Sequence, residues 1–532
     1  MIQFGVMKWK ILPKKSDDLI EQLLINRGIS KKEAEQFFNP NVSDFKEELK
    51  IPGIEKAQKR IFKAIESSEL IIVYGDYDVD GICASAILYK ALTSMGAKVL
   101  PYIPHREREG YGLSRLGLEF AKSSKASVVI TVDCGIVAFG QAKIAKDLGL
   151  DLIITDHHLP QDNLPNAYAI VHSTKMCGAG VAWCLIQDLI KKDLKEELLQ
   201  FVAIATVCDL IPLANLARAF VYEGLKVLNR TTNLGLLSLI SQSKINIGRI
   251  SSFEIGYIIG PRLNAIGRLD HAIDALRLLC TKDPIKANKL AKLLCDTNIE
   301  RQQLTTLAIE QAKKLVDTKN HIHILHSKNW SSGIIGLIAG RITEEYYRPT
   351  IAISVGETIS KGSARSIDGI NIVEEIRKHA DILIDVGGHP GAAGFSLESK
   401  YLEQFKKRFD SFVIDLSDQS EKVLQIDAQV QSDKLSKKLV NDLQKFEPFG
   451  FGNPKPIFTT SGMKLSEVRT VGSGKHLKFK ADNIDGIAFS KGDLVELMAN
   501  GQLIDVAYNI EIDDYNGFEK LQLKVKDLKI AE

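Results

Sequence analysis

The stretch Gly75-Asp-Tyr-Asp-Val-Asp-Gly81 follows the apolar run Leu70-Ile-Ile-Val-Tyr74 and precedes Ala84, Ile87, Leu88, Ala91 and Leu92 at helical spacing. That order predicts a strand, a turn and a helix, with three carboxylates on alternate residues crowded into the turn. Carboxylates this close repel one another unless cations sit among them. Open α/β sheets keep their active sites at such strand-to-helix turns. Two plainer readings exist. One is a solvated acidic turn. The other is a calcium-binding loop, which needs a bidentate Glu at its last position and a helix in front. Here the last position is Ile87 and a strand precedes the turn.

Working outward, strand-like runs at 70–74, 98–103, 127–132, 150–155 and 167–171 alternate with helical patterns. Strand, helix, strand repeated in this way predicts a mostly parallel sheet with helices on both faces. Val132 is followed by Asp133-Cys-Gly135, and Thr155 by Asp156-His157-His158. A helical run over 199–207 delivers Asp209 before Leu210-Ile-Pro212 stops it. Since parallel strands end on one side, four separated segments offer Asp and His to one crevice.

The 532 residues have room for about three domains of ordinary size. Residues 1–68 read as a helical lead-in packing on the next domain, and 69–230 as the domain that carries the carboxylates. Residues 231–310 read as a helical connector, with a Gly- and Arg-bearing loop at 260–268 and one long amphipathic stretch from 270 to 303. A second α/β pattern occupies 311–423, and short alternating strands over 424–532 predict a small β-barrel. Hydrophobic residues at 45% and charged residues at 25% are those of a globular chain, and a net charge of +3 confines any nucleic-acid surface to a local patch. Seven cysteines without a Cys-x-x-Cys pair point to a reducing cytoplasm. Lysines interrupt the N-terminus before a signal core forms, and no run is long enough to span a bilayer.

Carboxylates and a neutral imidazole suit manganese or magnesium, and also zinc or iron. Four or five carboxylates in one crevice call for two divalent ions, about 3.5 to 4 Å apart and sharing a carboxylate. The natural chemistry of such a pair is phosphate-ester hydrolysis by a metal-activated water, with no nucleophilic side chain.

Asp76-Tyr-Asp-Val-Asp-Gly81, Thr131-Val-Asp-Cys-Gly135, Asp156-His-His158 and Ala205-Thr-Val-Cys-Asp-Leu-Ile-Pro-Leu213 resemble, in order, the four motifs of the DHH phosphoesterase superfamily. Ile103-Pro-His-Arg-Glu-Arg-Glu-Gly-Tyr-Gly-Leu113, Pro261-Arg-Leu-Asn-Ala-Ile-Gly-Arg268, Gly362-Ser-Ala-Arg-Ser366, Gly387-Gly-His389 and Pro448-Phe-Gly-Phe-Gly-Asn-Pro454 resemble its RecJ branch. The resemblance spans essentially the whole chain. It implies an α/β DHH domain and a second α/β DHH-associated domain joined by a long helix, plus a C-terminal oligonucleotide-binding β-barrel.

The resemblance also implies a function: a single-strand-specific exonuclease working from the 5′ end of DNA in recombination and repair, with two Mn2+ or Mg2+ ions. Carried over by position, Asp78, Asp80, Asp133, His157 and Asp209 are the implied metal ligands, with Asp133 as bridge. Asp76 is a nearby or outer carboxylate, Asp156 orients His157, and His158 contacts the scissile phosphate or protonates the leaving oxygen. Arg106, Arg268, Ser363 and Arg365, each in a Gly- or Pro-marked loop, hold the terminal phosphate, and His389 contacts DNA. In the barrel, Lys475, His476, Lys478, Phe479 and Lys480 offer the basic and aromatic mixture of a single-strand groove. Single-strand-binding protein, a helicase and a monomeric state are implied only through the family.

Three positions depart from the pattern. Ser331 stands where a histidine is usual, His105 where an asparagine is common, and 171–180 is short and lacks an Asn-Pro. They bear on substrate handling, since every metal ligand is retained. The alternatives are a DHH phosphodiesterase acting on short oligonucleotides, cyclic dinucleotides or pyrophosphate, and a non-catalytic DNA-binding scaffold. The first class usually lacks the barrel and has a histidine ahead of the aspartates; the second is expected to have lost ligands.

Overall fold

The computed structural model describes residues 7–106, 108–410, 412–413, 422–513, 517 and 519–531. Residues 1–6 of the lead-in and Glu107 of the 103–113 motif lie outside them. The chain divides into two compact units, Asn41–Leu416, and Met1–Pro40 together with Ser417–Glu532.

In the larger unit, helix α1 (Ile54–Glu66) leads into β1 (Leu70–Gly75), α2 (Val79–Ser94), β2 (Lys98–Tyr102), α3 (Arg115–Ser123), β3 (Ala126–Val132), α4 (Phe139–Asp147), β4 (Asp151–Asp156) and β5 (Ala169–His172). The strands form an all-parallel sheet in the order β2-β1-β3-β4-β5. Alternate residues of the apolar runs feed two cores. Ile71, Val73, Val128, Ile130 and Ile153 face one, with α1 and α2; Ile72, Tyr74, Val129, Leu152 and Ile154 face the other, with α3 and α4. Both faces are covered, which is why these strands read as unbroken apolar runs. Each fully buried aliphatic side chain contributes about 1.5–3 kcal/mol. Because the chain passes from β1 to β2 on one side and then from β2 back to β3 on the other side of β1, the crevice lies where the ends of β1 and β3 part.

Helices α5 (Gly178–Ile186) and α6 (Lys192–Cys208) complete the first core. The segment expected as a loop at 260–268 is instead helix α7 (Gly260–Leu269), which continues without a break from the helical residues 252–259, whose last turn, Ile255–Ile259, is a widened π turn just ahead of Pro261. The long amphipathic stretch is broken. Asp283 caps a new helix, α8 (Pro284–Leu315), by accepting from the Ile285 amide at 2.8 Å, with Pro284 at its start.

Beyond α8 come β6 (His323–Ser327), α9 (Ile335–Tyr346), β7 (Thr350–Ser354), β8 (Ile359–Arg365), β9 (Leu383–His389) and β10 (Ala392–Glu398). They form a mixed sheet in the order β9-β10-β8-β7-β6, in which only β6 and β7 run parallel.

The smaller unit is a closed barrel of β11 (Phe458–Val471), β12 (His476–Ala481), β13 (Ile484–Ala488), β14 (Leu503–Asp513) and β15 (Lys520–Ile530), in the order β11-β12-β13-β15-β14, with β14 returning to β11. Part of the lead-in belongs here. Met7–Ile11 is a strand, not a helix, and pairs in parallel with Lys422–Ile426. Its alternation of Met7, Trp9 and Ile11 with Lys8 and Lys10 suits a strand, and Trp9 Nε1 donates to Asp527 at 2.8 Å. Leu23 and Leu24, from helix Leu19–Asn26, join the barrel core.

On β12 the side chains alternate, so Leu477, Phe479 and Ala481 are buried while His476, Lys478 and Lys480 face outward. Phe479 is therefore core and not a stacking aromatic. The outward aromatic beside this row is Phe489, whose ring lies 5.1 Å from His476 and beneath the Lys524 ammonium at 5.6 Å.

Candidate metal centre

Each carboxylate reaches the crevice by a different local device. After β1 the chain folds back so tightly that a Cβ on Gly81 would stand 2.6 Å from the Asp76 backbone. Asp78 caps α2 by accepting from the Gly81 amide at 3.1 Å. Asp80 accepts from the Gly178 and Ala179 amides at 2.6 and 2.7 Å, the unpaired donors at the start of α5. Asp133 follows β3 with a left-handed φ of 61°, a conformation that costs energy and recurs at functional sites. Asp209 closes the C-terminus of α6.

These devices converge. His157 Nε2 lies 3.1 Å from Asp133 Oδ1, 3.5 Å from Asp209 Oδ2 and 3.6 Å from Asp80 Oδ2. Three donor groups overlap: Asp80, His157 and Asp209; Asp76, Asp78 and Asp133; and Asp133, His157 and His158, the donor atoms of each within 4.8 Å of one another. Asp76 stands near Asp78 and Asp133, the closer of its two expected placements. Asp133 Oδ1, Asp76 Oδ1 and His157 Nε2 are buried without a hydrogen-bond partner. Orphaned buried acceptors are costly, and here they point at a common space that a hard cation fits.

The electrostatics agree. Burial first, and then the neighbouring carboxylates, push Asp80 up to about 7 and Asp209 up to about 8, and hold Asp76 and Asp133 well above the ordinary carboxylate range. Burial and the His158 charge push His157 down to about 4, leaving the neutral imidazole that a metal requires. His158 goes the other way. Burial disfavours its charged form, but the Asp156 carboxylate at 2.8 Å outweighs that and raises it to about 9. Asp156 also accepts from the backbone amides of Ile136, His157 and His158. The side chain it orients is therefore His158 and not, as expected, His157.

A second group lies between the two sheets of this unit. The Arg106 guanidinium sits 4.8 Å over the Tyr77 ring. Arg268 Nη1 donates to Gly333 O at 3.0 Å, and Arg365 Nη1 donates to Ser363 Oγ at 3.3 Å. A Cβ on Gly336, in the first turn of α9, would stand 3.1 Å from Ser363 Oγ and 3.3 Å from Arg365 Nη2. Burial, and then the charges of Arg106, Arg301 and Arg365, push Arg268 down to about 10.

Family models match along the chain: the DHH family N-terminal domain over residues 70–206, the DHHA1 domain over 317–415 and the RecJ OB domain over 426–527. The single-stranded-DNA-specific exonuclease RecJ of Bacillus subtilis is 35% identical over 97% of this chain and 68% of its own length. That of Haemophilus influenzae is 30% identical, over 89% of this chain and 90% of its own. The chain belongs to the RecJ family. The crystal structure of Thermus thermophilus RecJ with Mn2+ superposes with a TM-score of 0.86 at 28% identity, covering 99% of this chain and 80% of that one. The same RecJ in complex with Mg2+ gives 0.81.

Against the RecJ pattern, the five expected metal ligands, Asp78, Asp80, Asp133, His157 and Asp209, meet in one crevice together with Asp76 and His158. Of the expected phosphate residues, only Arg106 is in a loop. Arg268 ends α7, and Ser363 and Arg365 are on β8, where alternation turns both to one face. His389 ends β9 on an exposed hairpin, and the Gly387-Gly388 pair is part of that strand. Ser331, in place of the RecJ histidine, accepts from the Gly333 amide at 3.2 Å and shapes the turn before α9.

Three residues escaped the sequence reading. Asn264 Oδ1 accepts from the Val79 amide at 3.2 Å, Tyr77 lies beneath Arg106, and the Tyr111 hydroxyl is 3.2 Å from the His158 ring. All three stand inside the quoted motifs, so the signal was present but unassigned.

Proposed function

We propose that the chain degrades single-stranded DNA in recombination and repair as a manganese- or magnesium-dependent exonuclease, working from the 5′ end with two ions and releasing 5′-mononucleotides. The observation that supports this most is the set of three buried, unpartnered donor atoms on Asp76, Asp133 and His157, in a crevice that also holds Asp78, Asp80 and Asp209. When bound, the divalent ions supply an activated water and offset the charge that grows on the phosphate oxygens.

The side chains do the rest. Asp78, Asp80, Asp133, His157 and Asp209 would hold the ions, with Asp76 beside Asp78 and Asp133. The amides at the start of α5 hold Asp80 in one orientation. His158, kept charged by Asp156, offers a proton to the departing 3′-oxygen. Arg106, Arg268 and Arg365 with Ser363 grip the terminal phosphate, for which the planar guanidinium fork is suited, and so set the cut one nucleotide from the end. His389 reaches the strand from the β9-β10 hairpin.

In this reading residues 69–230 cut, 231–310 connect, 311–423 and 424–532 hold the strand, and 1–68 brace them. Single-strand-binding protein and a helicase are its expected partners, the monomer its working form and the cytoplasm its location. No helix among the described residues is long and apolar enough to cross a membrane. The test is a chelator-stripped preparation given Mn2+ with single-stranded or blunt duplex DNA. Restored cleavage of the single strand alone supports the reading; activity without metal, or equal cleavage of duplex, overturns it.

A further inference from the structure

Two rings that have no part in the reading above lie in the open on the helical run 252–269. Phe253 is 54% exposed and Tyr257 72%, and the rings stack with centroids 4.8 Å apart and planes 28° from parallel. One exposed aromatic is ordinary. A stacked pair is a broad π surface, and it cannot turn inward, because Ile255 and Ile259 of the same run are buried in the first core.

The run is held against the metal centre at two places. Near its start, Cys208 Sγ lies 4.0 Å from Ile255 O, a Cβ on Gly256 would stand 3.6 Å from Val207 Cγ1, and one on Gly260 would collide with Cys208 Sγ. The residue after Cys208 is Asp209. Further on, Asn264 Oδ1 accepts from the Val79 amide, and Gly267 presses on Tyr77 O. The run therefore borders the crevice from the Asp209 side to the Asp78 side. Tyr257, Asn264 and Arg268 are seven and four residues apart, two turns and one, so they share a face, which Phe253 joins through its stack with Tyr257. Arg268 ends that face in the phosphate grip, Asn264 stands over the carboxylate turn, and Tyr257 lies roughly 16 Å from Arg268 at the usual helical rise. Tyr257 is in the π turn Ile255–Ile259, a feature that recurs at functional sites.

The charge around the rings indicates what covers them. From Lys244 to Leu269 the chain has four cations, Lys244, Arg249, Arg262 and Arg268, and one acid, Glu254, which accepts from Ser251 in the helix cap. Stacking aromatics in a basic segment suit the bases and phosphates of a single strand. We infer that Tyr257 and Phe253 are a stacking platform for the bases on the 3′ side of the scissile bond. The inference rests on the reading that Arg268 and its neighbours take the terminal phosphate and the metal centre the next one. The strand then runs along the helix toward its N-terminus. Since every base has a π face, the platform holds the strand without choosing its sequence.

The test follows release of the first 5′-mononucleotide by the full chain at fixed free Mn2+. The substrates are an intact 5′-phosphorylated single strand, the same strand with tetrahydrofuran abasic residues as its second to fourth nucleotides, and one with those residues far from the 5′ end. The near-abasic strand is expected to have a KM about tenfold above the intact one, and the far-abasic strand is not. Tyr257→Ala and Phe253→Ala each raise KM for the intact strand roughly fivefold or more and shrink its advantage over the near-abasic strand, whereas Tyr257→Phe, which keeps the ring, retains that advantage. A parent protein indifferent to the near-abasic residues overturns the platform. So does a Tyr257→Ala protein whose KM is unmoved or rises equally for both strands. The intact strand with a 5′-hydroxyl reads the terminal-phosphate position separately. If phosphate gives no preference over hydroxyl, the anchor has failed and the platform falls with it; a phosphate preference without the ring-to-base coupling means that the platform alone has failed.

Discussion

Asp156 Oδ1 lies 2.8 Å from His158 Nδ1 and accepts its hydrogen, so the second histidine of the Asp-His-His tripeptide, not the first, has its ring fixed by the leading aspartate. His157 is thereby left neutral with Nε2 aimed at Asp133, and His158 is left charged beside it. One carboxylate separates the two imidazoles into a neutral ring and a charged one.

Asp156→Asn removes the charge that holds His158 protonated. Its expected effect is roughly a 10- to 100-fold loss of kcat, the usual cost of losing a residue that supports a site. Because the His158 pKa falls when the carboxylate goes, the alkaline limb of the pH–rate profile moves to lower pH. A variant with reduced kcat but an unmoved alkaline limb contradicts the assignment.

Asp133→Asn removes the most crowded carboxylate while keeping its shape. In chelator-treated protein the variant is expected to melt about 2 to 4 °C above the parent, since a self-repelling buried acid is gone. The same variant gains no thermal shift from Mn2+ and cleaves no DNA. Calorimetry with and without the metal reads both effects, and a destabilised metal-free variant would count against the repulsion argument.

The parallel strands were legible because sheet burial on both faces leaves unbroken apolar runs such as 70–75 and 126–132, and the barrel because β12 alternates residue by residue. Tertiary facts were not legible. Gly260-Pro261 and Gly267 look like loop residues, yet all stand inside a continuous helical run over 252–269, and Gly267 is small because α7 presses on the carboxylate turn. Strand 7–11 pairs with Lys422–Ile426, far away in the sequence. The carboxylate and histidine ligands could be listed from their motifs, but which imidazole Asp156 holds depends on the path of the backbone after β4.

Asp80, at about 7, and Asp209, at about 8, are raised above the unfolded carboxylate value by burial first and neighbouring carboxylates second. Metal-free folded protein therefore keeps protons that the unfolded chain has released. That contribution to stability is complete below about pH 4 and is lost as pH rises through 7 to 8. Metal ions reverse the repulsion, so the rise in Tm produced by saturating Mn2+ is expected to be larger at pH 8 than at pH 6. A metal shift independent of pH across that window would contradict the coupling.

A Cβ on Gly267 would stand 2.6 Å from Tyr77 O. Gly267→Ala therefore pushes α7, with Asn264 and Arg268, off the carboxylate turn, at a cost of about 1–3 kcal/mol in stability. Displacing the phosphate grip by about 1 Å is expected to lower kcat/KM roughly 100-fold on 5′-phosphorylated strands. Ala at nearby Gly336, where the neighbours stand at 3.1 Å or more, is expected to be milder. The comparison is read by melting and by steady-state cleavage of both variants; equal or reversed severity would refute the packing argument.

The central claim is tested most directly by following single-stranded DNA labelled at the 5′ or the 3′ end during digestion with Mn2+, beside an Asp133→Ala control. The expected result is that label leaves first from the 5′ end as a mononucleotide and that the control is inactive. First release from the 3′ end, cleavage confined to fragments of about two to five nucleotides, or binding without any cleavage would contradict it.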